Sequence, residues 1–275
     1  MMDFLLALAL LAAPAGFAGA GREAVAERVA ALEALPDLRA RVVSASQAFL
    51  GVPYRLDPLG EGPGRSPDED PRLRFDAVDC QTFVETVIAL ANAERFGEVE
   101  AVLDDVRYDG PPEYARRNHF FEAQWLPVNQ RKGYLRDATL ELGGASARRH
   151  TKVVTLSQWQ ARTVAQKISL PDERAPVGSF EVRYVPLAQV LARAKTIPSG
   201  TAFAVVREDK PRTPMMVSHL GFIVQSERGP MARHASDAFK AVVDEDLARF
   251  VERNRKMRTW KVLGLQLFEL TSPGH

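Results

Sequence analysis

The 275-residue chain has one cysteine, so no disulfide can close within it, and apolar burial alone must hold it together. It also lacks a charge excess. Thirty-six Lys and Arg against 35 Asp and Glu leave +1, with no basic block longer than a few residues. That excludes the electrostatic footprint of a dedicated nucleic-acid binder. The 18 glycines and 18 prolines together stand near background, which excludes collagen-like and low-complexity architectures. No repeat and no heptad pattern is present. Long apolar runs are missing after the first turns of chain, so a multi-span membrane protein is excluded. What is there, 46% hydrophobic and 26% charged residues, is ordinary globular composition with room for one large domain.

The exception to the missing apolar runs is residues 1–13, too short to span a bilayer comfortably. Ala18 and Ala20 fit a signal-peptidase site with cleavage before Gly21, although Asp3 stands where a positive charge is usual. No cysteine follows the run directly, which excludes a lipoprotein. The expectation is a signal peptide over residues 1–20, a periplasmic or secreted mature chain, and no stable membrane insertion after its removal. A lone thiol in that setting suggests an intermolecular bridge or a reactive group.

Apolar spacing predicts two amphipathic helices within 22–50, broken near Pro36. A Pro/Gly/acid-rich loop covers 57–70, and a strong helix runs over 80–96 behind an Asp79 N-cap. A further helix is expected near 98–106. After residue 150 the pattern turns to strands at 152–156, 180–185, 201–207, 217–225 and 262–270, interrupted by helices at 187–195 and 245–254. Helices first and an antiparallel sheet afterwards is an α+β pattern. We expect one domain over 21–275, with 98–200 partly an elaboration beside the site.

Cys80 opens the strongest helix. Backbone N–H groups and the positive end of the helix dipole favour a thiolate there, the usual setting of a reactive cysteine. Of the five histidines, His219 stands out. Alternation places Leu220, Phe222 and Val224 on one strand face and His219, Gly221 and Ile223 on the other. Gly221 leaves room for a neighbour. A hairpin loop at 226–229 pairs His219 with Ser236 and puts His234 diagonally beside it, giving a base and its orienter. A zinc site is disfavoured, because no short-range ligand spacing occurs. Glu85 reads as a structural acceptor and Asp79 as a cap.

The segments Gly51-Val52-Pro53-Tyr54, Asp79-Cys80-Gln81-Thr82-Phe83-Val84-Glu85, His219-Leu220-Gly221-Phe222-Ile223 and His234-Ala235-Ser236 resemble, in type and order, papain-like cell-wall peptidases of the NlpC type. With Arg117, Asn118, His119, Phe120 and Trp125 added, the chain is most similar to their N-acetylmuramoyl-L-alanine amidase-like branch. The resemblance implies a papain-like α+β fold whose nucleophile-bearing helix packs on an antiparallel sheet. It implies Cys80 as nucleophile, His219 as general base and acid, His234 as orienter, Tyr54 lining the site, and no metal or other cofactor. Arg117, His119 and Trp125 either line a saccharide or stem-peptide groove or pack as an ordinary loop. The implied substrate is peptidoglycan or its fragments, cut at the muramoyl–L-Ala amide or, in sibling enzymes, between D-Glu and a diamino acid. A wall-fragment binding module and a papain-like acyltransferase are the competing readings.

Overall fold

The structure, a computed structural model, describes residues 16–161 and 168–274. Residues 1–15 of the expected leader lie outside the described residues. Phe17, however, is buried, its ring 4.8 Å from Phe49 and 4.9 Å from Phe75. Among the described residues no helix is long and apolar enough to cross a membrane.

The first half is helical: α1 (Arg22–Glu33), α2 (Leu38–Ala48), α3 (Cys80–Asn92) and α4 (Val99–Arg107). Asp37 caps α2 by accepting from the Ala40 N–H at 2.7 Å, just after the Pro36 break. The α3 helix stops short of the expected residue 96. Its Ala93 cap is extended, the Asn92 side chain folds back to the Ile88 carbonyl, and Phe96–Glu98 form a separate 3-10 turn. Short elements follow: α5 (Leu126–Lys132), β1 (Leu135–Asp137), α6 (Thr139–Gly143), β2 (Arg148–Val154) and α7 (Leu156–Gln160). The rest comprises β3 (Gly178–Pro186), α8 (Leu187–Arg193), β4 (Thr201–Arg207), β5 (Val217–Ser226), β6 (Gly229–Ser236), β7 (Ala241–Asp246), α9 (Leu247–Arg255) and β8 (Val262–Leu270).

Among the described residues the strands make one eight-stranded antiparallel sheet, ordered β2-β3-β8-β4-β5-β6-β7, with β1 also on β8. Helices cover both faces. Leu220, Phe222 and Val224 of β5 pack toward α3, where Phe83 meets Phe49 at 5.6 Å and Phe222 at 5.5 Å, both edge-on. Ile223, Phe203 and Ala232 face a second core with Phe250 and Val251 of α9 and Val190 of α8. Within 98–200, α4 packs on α3, β1 and β3 pair with β8, and β2 joins the sheet through β3. The α+β reading holds.

One boundary matters for function. The helix expected over 245–254 begins at Leu247, because the Asp246 carboxylate accepts from the Arg249 N–H at 2.9 Å and caps it there. Glu245 therefore belongs to β7, paired with Ala232 of β6.

Candidate active site

Cys80 is half-buried at the head of α3. The helix starts there because Asp79 and Thr82 form a capping box. Asp79 Oδ1 accepts from the Gln81 N–H, the Thr82 N–H and the Thr82 hydroxyl, which in turn accepts from the Asp79 N–H at 2.9 Å. The thiol faces three backbone N–H groups: its own, that of Gln81, and that of Leu220 on β5. Those donors favour the thiolate, yet burial and the neighbouring Asp79 carboxylate outweigh them and push the thiol up to about 12. The expectation of a resting thiolate is thus corrected. The helix start supplies donors, but the residue that caps it supplies a like charge.

Residue Leu220 follows His219, so the thiol meets β5 next to that histidine. Burial holds the His219 imidazole well below its ordinary 6.5, helped by the positive charges of Arg253 and Arg207. Both partners rest neutral at neutral pH. His219 also sits at a β-bulge, since β5 has one residue more than β4 between Val217 and Leu220. The bulge is why Val217 packs with Leu220 in the same core despite strict alternation. Arg207 of β4 ties it down, Nε donating to the Ser218 hydroxyl at 2.6 Å.

The β5–β6 hairpin has the expected register, from Ser226 opposite Gly229 to Phe222 opposite Arg233. It brings His234 beside Gly221. A Cβ at Gly221 would lie 2.6 Å from the Arg233 carbonyl oxygen and 2.9 Å from His234 Cβ, so only glycine permits this approach. His219 Nε2 and His234 Nδ1 are 2.9 Å apart, with the rings near perpendicular. His234 Nε2 lies 3.2 Å from Glu245 Oε2, and Arg253 Nη2 donates to that oxygen at 2.6 Å. Glu245 had no place among the residues expected to matter, because its segment read as helix. The signal was the acid at position 246, a better N-cap than a helix interior residue.

Tyr54 lies close enough to Cys80 and Asp79 to feel their charge. The chain at 51–55 is laced between β7 and the segment before α3: the Tyr54 N–H donates to the Lys240 carbonyl and the Arg55 N–H to that of Val78. Burial, with the charges of Cys80, Asp79 and Asp237, raises the phenol above its usual value.

A cleft of about 230 Å³ runs along the first turns of α3, lined by Asp57, Asp79, Gln81, Glu85, Arg117 and His119 among others. Arg117 and His119 are therefore at the cleft, but Arg117 already serves three carboxylates of the chain itself. It pairs with Glu61 at 2.6 Å, Asp68 at 2.7 Å and Asp57 at 3.3 Å, pinning the acidic 57–70 loop. His119 donates from Nε2 to the Tyr114 carbonyl at 2.8 Å, and burial drops it to about 4, so it is a neutral wall. Trp125 is not at the cleft surface. It is 1% exposed and stacked on Phe121 at 5.2 Å, which corrects the groove-lining expectation. Glu85 is, as expected, a structural acceptor, held by Arg107 and by Gln81 Nε2. No cluster of three potential metal ligands occurs among the described residues.

A cysteine at a helix head, set against a histidine pair on an antiparallel sheet, sits within an α+β fold. The chain belongs to the N-acetylmuramoyl-L-alanine amidase-like family, which it matches over residues 44–258. Among solved structures it is similar to a Legionella pneumophila protein of the DUF1460 family, at TM-score 0.79 and 25% identity over 91% of this chain and 94% of that one. A Bacteroides uniformis N-acetylmuramoyl-L-alanine amidase aligns at TM-score 0.67 and 22% identity, over 86% and 99%. A putative xylanase from Bacteroides fragilis aligns at 0.65 and 22%, over 82% and 99%. The last two likenesses speak to fold. No curated protein matches the sequence.

Proposed function

We propose that this chain is a cysteine amidohydrolase of the papain-like, NlpC-type kind. It cleaves the amide between the muramoyl lactyl group and L-Ala in peptidoglycan or its fragments, in the periplasm or outside the cell. The observation that carries this reading is the only thiol of the chain lying against the Leu220 N–H, next to a histidine whose Nε2 is engaged by a second histidine. The amidase-like family supplies the substrate class.

From a neutral thiol and a neutral imidazole, attack and proton transfer go together. Sulfur adds to the amide carbonyl while its proton passes to His219, giving a tetrahedral oxyanion and an imidazolium. In this reading the backbone N–H of Cys80 donates to that oxyanion. As the C–N bond breaks, His219 returns the proton to the leaving L-Ala nitrogen and a thioester remains on Cys80. Water, deprotonated by His219, then releases the lactyl carboxylate and the thiol.

Purified protein incubated with muropeptides should yield, by mass spectrometry, stem peptide beginning at L-Ala and muramic acid ending in its carboxylate. Cys80→Ala should lose roughly 10³-fold or more in kcat. An unchanged rate in that variant removes the mechanism. Cleavage between D-Glu and the diamino acid moves the bond, binding without turnover leaves a wall-fragment binding module, and transfer to an added amine makes the protein an acyltransferase.

A further inference from the structure

The line of polar groups does not end at the two histidines. Glu245 lies two residues along β7 from Val243, the residue paired with His234, so its carboxylate reaches His234 diagonally on the same sheet face. Oε2 is 3.2 Å from His234 Nε2. On its far side Arg253 of α9 grips both oxygens, Nη2 to Oε2 at 2.6 Å and Nε to Oε1 at 3.2 Å. The Phe250 ring covers both imidazoles, its centroid 5.2 Å from His234 and 6.4 Å from His219.

Each proton in this line follows from the one before it. A guanidinium only donates, so both Glu245 oxygens must accept. Burial alone would push the Glu245 carboxyl up, but hydrogen bonds from His234 and Arg253 and the Arg253 charge hold it down at about 2. An acceptor-only carboxylate requires the proton of His234 to sit on Nε2. In a neutral ring Nδ1 then carries the lone pair, so at 2.9 Å His219 must donate from its own Nε2. What remains on His219 is an Nδ1 lone pair, the form a general base needs. Without Glu245 the reverse line is equally well bonded: His234 donates from Nδ1, His219 accepts at Nε2, and the proton moves to His219 Nδ1.

We propose that Glu245, clamped by Arg253, is a positioning residue that fixes the tautomers of both histidines and so presents His219 Nδ1 to the thiol as a base. The step from tautomer to rate rests on the cysteine amidase reading; the tautomers themselves do not. The charged groups facing the pair are Glu245 from β7, Arg253 from α9 and Arg207 from β4.

The test is ¹⁵N NMR of the histidine-labelled protein near pH 7.5, with muropeptide kinetics alongside. In the unaltered protein both rings should show the Nε2–H tautomer; Nδ1–H on either one overturns the proposal, and this arm needs no variant. Glu245→Gln keeps the shape but turns an amide N–H toward either Arg253 or His234. It should populate the Nδ1–H form of His219 and lower kcat roughly 10–100-fold with KM little changed. Glu245→Asp should recover part of that rate. Unchanged tautomers together with an unchanged kcat in Glu245→Gln also overturn it. Tautomers as stated in an unaltered protein that turns over no muropeptide would support the hydrogen-bonded line and refute the amidase reading instead.

Discussion

The two sides of Cys80 are built from similar residues to opposite ends. On the sheet side Arg253, Glu245, His234 and His219 form an open line in which each group constrains the next and the last nitrogen is left over. On the cleft side Arg117, Glu61, Asp68 and Asp57 close on one another, as do Arg107 and Glu85. An open line ends in reactivity; a closed cluster ends in rigidity. The cleft side holds a loop still, and the sheet side holds a proton in place.

The comparison breaks if a cleft-side cluster proves to act on chemistry. Arg117→Met strips the counter-charge from Glu61, whose side chain is 2% exposed beside an Arg117 that is 8% exposed. Removing one partner of a buried pair costs about 3–5 kcal/mol, so Tm should fall by many degrees while kcat of the folded fraction changes little. A large kcat loss at unchanged Tm would put Arg117 on substrate instead.

Glu122 sharpens the sheet side, since its carboxylate accepts from the N–H groups of Met216 and Val217, where β5 begins. Burial raises this acid from 4.5 to about 7, against the pull of its backbone donors and Lys152. A raised acid means the folded state binds the proton more tightly than the unfolded chain. Its contribution to stability is full below the ordinary value and is lost as pH rises from 4.5 to about 7. The Tm of Glu122→Gln relative to the unaltered protein should therefore climb between about pH 5 and pH 8 in calorimetry. A constant difference would mean that Glu122 does not titrate there.

The smallest effect falls between the two sides. Asp79→Asn keeps a helix cap but removes the charge that helps raise the Cys80 thiol. Iodoacetamide labelling near neutral pH, slow in the unaltered protein, should quicken several-fold. No change would assign the raised thiol to burial alone.

Features set by neighbours in sequence were legible. Asp79 before an apolar helix, the β5 alternation from Leu220 to Val224, and a loop at 226–229 suffice to bring Cys80, His219 and His234 into one region. The helix at 80–96 was overrun because apolar spacing continues past Asn92, whereas the chain ends the helix with a side-chain bond to Ile88. Trp125 was expected at a groove and lies in the interior instead, while Arg117 lines the cleft and packs at once. Large aromatic and guanidinium groups suit a ligand and a protein interior equally, and only the three-dimensional partners decide. Glu245 was hidden by a boundary two residues long.

Phe17 bears on where the chain can be trimmed. Its ring closes the apolar floor between Phe49 and Phe75, and its N–H is tied to the Ala48 carbonyl at 2.6 Å. A protease cutting before Gly21 would carry that ring away and leave a vacancy under α2, where losing a buried phenylalanine costs about 3–5 kcal/mol. Ala13 and Ala15 repeat the same small-residue spacing upstream, and a cut before Gly16 would keep Phe17 and its bond to Ala48 in the chain.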